Sequence, residues 1–314
     1  MAHRIVASTL AEQVAAAVVN MRMVPEQGWT VANVVDAADP DAPNGLIMET
    51  ADLIAEPSCL TDVMKHLAAS SLIVIVFGTY DDGVAVDRAL RERTGLTVMS
   101  VIATDLIEAR CACGCGASEP VDLESNRIIV EAVAAGIEIP RPRHDIDQAL
   151  TPGRFDQPVT LERALAIVEA VADRRAWADD AIATVAGVLN DEAAVGDRDV
   201  VDHLVAASLL IPVRDLYMFQ VTVTNARTAW HLFTDLAGHA DRESARNLLA
   251  LAAFAAWMDG NGHAARLACD AADNAGDEAH TLADLVRMAA RLGMNPAHWT
   301  PPASDVLDRA LETL

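Results

Sequence analysis

Apolar residues along the chain follow two periods. Up to about residue 135 they alternate between a spacing of three to four and short continuous runs, the marks of amphipathic helix and buried strand. Ser8 to Arg22 has helical spacing, with Ser8 or Thr9 as its cap. "WTVANVVDA" and "GLIMETADL" predict two strands, parted by the turn-rich "ADPDAPN". "SCLTDVMKHLAAS" then predicts a helix, "SLIVIVFGTY" a buried strand and "GVAVDRALRERTG" a helix closed by Gly95. "LTVMSVIAT" predicts a further strand, with the cysteine-rich "RCACGCG" close behind and "LESNRIIVEAVAAG" returning to helix. A hairpin followed by β-α-β crossovers implies a mixed sheet with helices on its faces.

From Thr160 onward the pattern is helical throughout. "TLERALAIVEAVADRRAWADDAIATVAGVLN" opens on Thr160 as cap, with Arg163 where a capping box would place Glu. "VVDHLVAASLL", "TNARTAWHLFTDLAG", "RESARNLLALAAFAAWMDG", "GHAARLACDAADNAG", "EAHTLADLVRMAARLG" and "ASDVLDRALETL" follow, several ended by glycine. Residues 137–159 carry four prolines and no clear period. They predict an interdomain linker between an α/β domain over 1–136 and an all-α helical domain over 160–314. Small residues at Ala253, Ala265 and Ala272, with Gly260 at a turn, fit a tetratricopeptide (TPR)-like helical hairpin. One such unit is visible, fewer than a solenoid needs, so it is read as a hairpin inside a helical domain.

Composition narrows the function classes. Apolar residues make up 52% of the 314, enough for a sizeable core. No apolar run approaches the ~20 residues that span a bilayer. Glu12 and Gln13 interrupt the N-terminal apolar stretch, which therefore predicts a helix rather than a signal peptide. The expectation is a cytoplasmic protein with no membrane association. A net charge of −23 repels phosphate backbones, so no nucleic-acid partner is expected. A single lysine, Lys65, against 22 arginines points to a GC-rich genome or to salt adaptation. Five cysteines, three of them crowded together, are a poor match to a secreted disulfide framework.

Candidate chemistry lies in two places. Cys111, Cys113 and Cys115 occupy alternate positions, which share a face in a strand. A structural zinc site wants four ligands, and the fourth would be Cys59 or a histidine such as His144. C-x-C-x-C is not a standard finger spacing, and Gly114 and Gly116 suit a bulge or tight turn. The preferred reading is small structural residues, with no cofactor expected and zinc as the alternative. The second place is the strand ends. Ligands in open α/β sheets sit beyond the carboxyl ends of the strands. Asp81, Asp82 and Asp105 fall there and would suit a divalent metal or proton transfer if they converge. As caps and turn residues they need no such role, and that reading is preferred. "DGNGHAARLACD" fails as a calcium loop because Ala264 stands where glycine is needed. His231 and His239, eight apart, could share a helix face, but solvated or capping histidines are commoner. No phosphate loop, dinucleotide fingerprint, nucleophile elbow or H-E-x-x-H is present.

"LIPVRDLYM", "TAWHLFTDLAGHA", "LLALAAFAAWMDGNGHAARLACDAA" and "RMAARLGMNPAHW" resemble, in order and spacing, the actinobacterial family labelled domain of unknown function 4192. The N-terminal half is similar too: a helix ending in "VP", two strands, a strand ending in "GTYDD", then an Arg- and Cys-containing segment. The chain departs from the family in having "DLIEARCACGCG" where an aromatic-rich segment is common. The resemblance implies an actinobacterial or actinophage origin and the two-part architecture, and no activity. Two functional readings follow. One is a binding or scaffold protein whose helical hairpin takes a protein partner. The other is a metal-dependent enzyme built on Asp81, Asp82 and Asp105. The lack of a catalytic motif favours the first, and oligomeric state is not legible.

Overall fold

The computed structural model describes residues 7–35, 45–135, 137, 141–191, 195–292, 294–301 and 312. The turn expected over 38–44 lies outside them, as does nearly all of the helix expected over 303–314. The chain divides into two compact units, one up to Arg143 together with Arg291–Asn295, the other His144–Ala290 together with the residues from Pro296.

The first unit is α/β. Helix α1 (Leu10–Met21) starts at Thr9, whose side chain accepts the N–H of Glu12. After β1 (Met23–Val24) come β2 (Trp29–Val34) and β3 (Gly45–Glu49), an antiparallel pair. The expected strand over 45–53 stops at Glu49, and α2 (Thr50–Ala55) takes over. There Thr50 turns inward, and its hydroxyl lies 2.9 Å from that of Thr30. Helix α3 (Ser58–His66), β4 (Ser71–Phe77), α4 (Tyr80–Arg93) and β5 (Thr97–Thr104) follow. Strands β6 (Glu108–Cys111) and β7 (Ser118–Pro120) then form a meander that leads to α5 (Arg127–Ala134) and β8 (Arg141–Pro142).

The main sheet runs β3-β2-β4-β5-β6-β7, with β4 parallel to β5 and every other pair antiparallel; β1 and β8 make a separate parallel pair. Alternate residues of β4 serve two faces. Leu72, Val74 and Val76 share a core with Leu53 of α2, Leu60 and Met64 of α3, and Val86 and Leu90 of α4. Ile75 and Phe77 are also buried, which leaves the opposite face to α1. Helix α1 packs on strands of the sheet and, through Ala15 and Val19, on Ile128, Ile129 and Ala132 of α5. A strand buried on both faces must be apolar without a break, and "LIVIVF" is.

The second unit is helical and begins inside the expected linker. Helix α6 spans Arg143–Ala149. Beyond it Phe155 donates its N–H to the carbonyl of Gly238 at 3.1 Å, and Val159 pairs in parallel with Ala240. The stretch 144–159 thus belongs to the helical unit, and proline content misled because three prolines of 137–159 sit where no helical hydrogen bond is needed. Helices α7 (Leu161–Ala170) and α8 (Arg174–Leu189) replace one long expected helix. They break at Asp173, which accepts the N–H of Ala176 as an N-cap. Next come α9 (Arg198–Ser208), α10 (Ile211–Phe219) and α11 (Ala226–Gly238). Helix α12 (Arg246–Met258) is buried on all sides from Leu248 to Met258, and packs on α10, α11 and α13 (Gly262–Asn274). An all-apolar helix can only be central. The turn Asp259-Gly260-Asn261 joins α12 to α13, and Asn261 caps α13 by accepting the N–H of Ala264 at 3.0 Å. Helix α14 (Thr281–Arg291) follows.

Candidate functional site

Two of the three strand-end acids, Asp82 and Asp105, serve the backbone. Thr79 caps α4, and Asp82 three residues on closes a capping box. One Asp82 oxygen accepts the Thr79 N–H at 2.9 Å and its hydroxyl at 2.7 Å. Asp81 is exposed in the same first turn, the favourable end of the helix dipole for a carboxylate. Asp105 ends β5 and turns the chain into β6. Its Oδ1 accepts the N–H groups of Glu108 and Ile107, both at 2.9 Å. These two bonds hold its carboxyl below the usual range.

The cysteines do come together. Cys111 is the last residue of β6, and the loop to β7 is closed where its N–H meets the carbonyl of Ala117 at 3.0 Å. The N–H of Ala112 is held by the carbonyl of Val101 on β5, and Ala112 packs into the sheet core. Anchored there, the loop turns through Gly114 and Gly116 at φ of 80° and 77°, which side-chain-bearing residues rarely adopt. One left-handed glycine follows Cys113 and the other follows Cys115. Cys111 Sγ lies 2.9 Å from Cys113 Sγ, and all three Sγ atoms lie within 4.8 Å of one another. Among the described residues this is the one group of three or more His, Cys, Asp or Glu side chains close enough to share an ion. Burial, then hydrogen bonding to Cys113, pushes the Cys111 thiol up to about 11. Bonds from the Cys111 and Cys115 thiols lower that of Cys113, which is fully exposed. Cys59 is on α3, exposed, and is not in the group, nor is His144.

Two buried polar clusters in the helical unit were not expected from the sequence. Asp202 on α9 is paired with Arg198 one turn before it and with Arg163 of α7. His280, just before α14, places Nε2 2.8 Å from the side-chain oxygen of Asn247 on α12. The Asn247 amide donates to the carbonyl of Ser208 at 2.8 Å, and His280 N–H to Asp273 at 2.8 Å. An acid three to four residues from an arginine is legible as a pair; a histidine 33 residues from its asparagine is not. His239 lies against the Phe155 ring, 4.4 Å between centroids, and is separate from His231. No helix among the described residues is long and apolar enough to cross a membrane.

A family model described as a domain of unknown function (DUF4192) matches residues 2–297, nearly the whole chain, and the chain belongs to that family. No curated protein and no solved structure matches it.

Proposed function

We propose that this DUF4192 member is a cytoplasmic binding protein, in an actinobacterial or actinophage setting, whose helical unit takes a protein partner beside a TPR-like hairpin of α12 and α13. The observation that carries this reading is the second apolar face of α14. Leu282, Ala283 and Val286 are buried, and the Cys269 thiol of α13 donates to the carbonyl of Ala283 at 3.4 Å. Leu285 and Met288, on another face, are each 56% exposed. Spacing of i and i+3 is what a helix presents to another helix. With a net charge of −23, the partner that fits is an amphipathic helix whose apolar face is flanked by Lys and Arg. The acidic alternative at Asp81, Asp82 and Asp105 has weaker support, since Asp82 and Asp105 are held by neighbouring N–H groups.

The test uses two synthetic helical peptides with the same leucine face, one flanked by Lys and one by Glu. Fluorescence anisotropy is expected to show saturable binding of the first only. Leu285→Asp combined with Met288→Asp is expected to weaken it at least tenfold, about 1.4 kcal/mol. Equal binding by that double variant would leave bulk charge as the whole cause and remove the proposal.

A further inference from the structure

We propose that the hairpin loop Cys111–Ala117 is a metal site, in which three thiolates hold one thiophilic d10 cation and leave a coordination position open to solvent. The proposal is independent of the helical face above. It rests on the convergence of three sulfurs on a loop too short to be incidental to them. Thiolates bound at about 2.3 Å around one ion stand about 3.8–4.0 Å apart. The Sγ atoms of Cys111, Cys113 and Cys115 already lie within 4.8 Å of each other, so rotation about side-chain bonds suffices to place an ion. The backbone needs no change, because the left-handed turns at Gly114 and Gly116 are in place. The loop is held in this shape by the bonds from the Cys111 N–H to the Ala117 carbonyl at 3.0 Å and from the Ala112 N–H to the Val101 carbonyl at 2.8 Å.

The donor set selects soft ions, Cu(I) and Zn(II), over magnesium or calcium. Charge separates those two. Three thiolates leave a net −1 around Zn(II) and −2 around Cu(I). Arg110, next to Cys111 in sequence, is already paired with Glu108, and the chain carries a net charge of −23. An acidic surrounding favours the divalent ion. No fourth protein ligand joins the group among the described residues, and Cys113 and Cys115 are exposed. Zinc with three protein ligands keeps its fourth position for water or an incoming donor. Binding releases the thiol protons to solvent.

The full-length protein is purified under reducing conditions, stripped with a chelator, and loaded separately with Zn(II) and with Cu(I). After desalting, one zinc per chain is expected. Alkylation mapped by mass spectrometry should then find the three loop cysteines protected and Cys59 still reactive. Cys113→Ser is expected to lose stoichiometric metal with its circular dichroism unchanged, since the residue is exposed on a loop. Cys59→Ser is expected to bind as the parent does. One Cu(I) per chain with no zinc supports the site and reassigns its ion. Three results overturn it: no stoichiometric uptake of either ion, uptake unchanged in Cys113→Ser, or a Cys111–Cys113 disulfide that persists under reductant and blocks loading.

Discussion

His280 shows how one buried side chain sets a pH response. Its ring is neutral because burial, then the positive charges of Arg214 and Arg246, bring its pKa down to about 4. In the unfolded chain the group returns to the ordinary 6.5. Between those values the unfolded state binds the extra proton, so stability rises with pH across the window. It is fully present above about 6.5 and is lost as pH falls toward 4. His239, lowered chiefly by burial, acts in the same direction. His280→Gln keeps a donor toward Asn247 and removes the titration. Urea midpoints at pH 7 and pH 5 should differ less in that variant than in the parent; an equal difference would place the sensitivity elsewhere. Short-range chemistry of this kind is legible only when its partners are close in sequence. Thr9 and Thr160 could be read as caps because a cap and its target are three residues apart, whereas Asp81 and Asp82, expected as caps, lie inside a helix that Thr79 caps. The alternation of Cys111, Cys113 and Cys115 was equally plain. That their sulfurs meet depends on the loop closing onto Ala117 and docking on Val101, which no local pattern announces.

At the scale of elements, the α12–α13 hairpin is where small residues matter. Ala253 on α12 and Ala265 on α13 are both buried, and the two helices pack together. Ala265→Leu adds three carbons to a filled space and is expected to cost about 1–3 kcal/mol. Leu285→Asp on the exposed face of α14 should stay within about 0.5 kcal/mol. Urea midpoints of the two variants test the order, and the reverse order would mean that Leu285 is buried in solution. Element type was readable wherever one period ran long enough, as in β4 or α13. It failed at junctions. Asp173 splits α7 from α8 because a helical pattern continues on both sides of a cap. Helix α10 was not among the expected helices, and its Pro212 sits in the first turn, where its missing N–H costs nothing. Strand β3 was drawn too long because "ETADL" alternates as a strand would, while Thr50 already starts a helix.

For the whole molecule the question is where the helical unit begins. Four prolines placed its start at Thr160, but the structure places it at His144. Arg154 shows why. Its guanidinium donates to the carbonyl of Thr234 at 2.7 Å, to the Asp235 carboxylate at 2.7 Å and to the carbonyl of Ala149. Gly238 makes this approach feasible, because a Cβ there would lie 2.7 Å from the guanidinium carbon and 2.8 Å from the Phe155 ring. Val159 then exchanges backbone bonds with His239 and Asp241, and Ile146, Leu150 and Val159 are buried. Each such side chain contributes about 1.5–3 kcal/mol on burial. A chain starting at His144 keeps all of this; one starting at Thr160 loses the Arg154 contacts and leaves the end of α11 uncovered. The expected outcome is a cooperative thermal transition for 144–314 and a much lower or broadened one for 160–314. Limited proteolysis of the full chain should correspondingly spare 144–159. Matching transitions in the two fragments, or early cleavage between Arg154 and Pro158, would show that the segment is a connector after all.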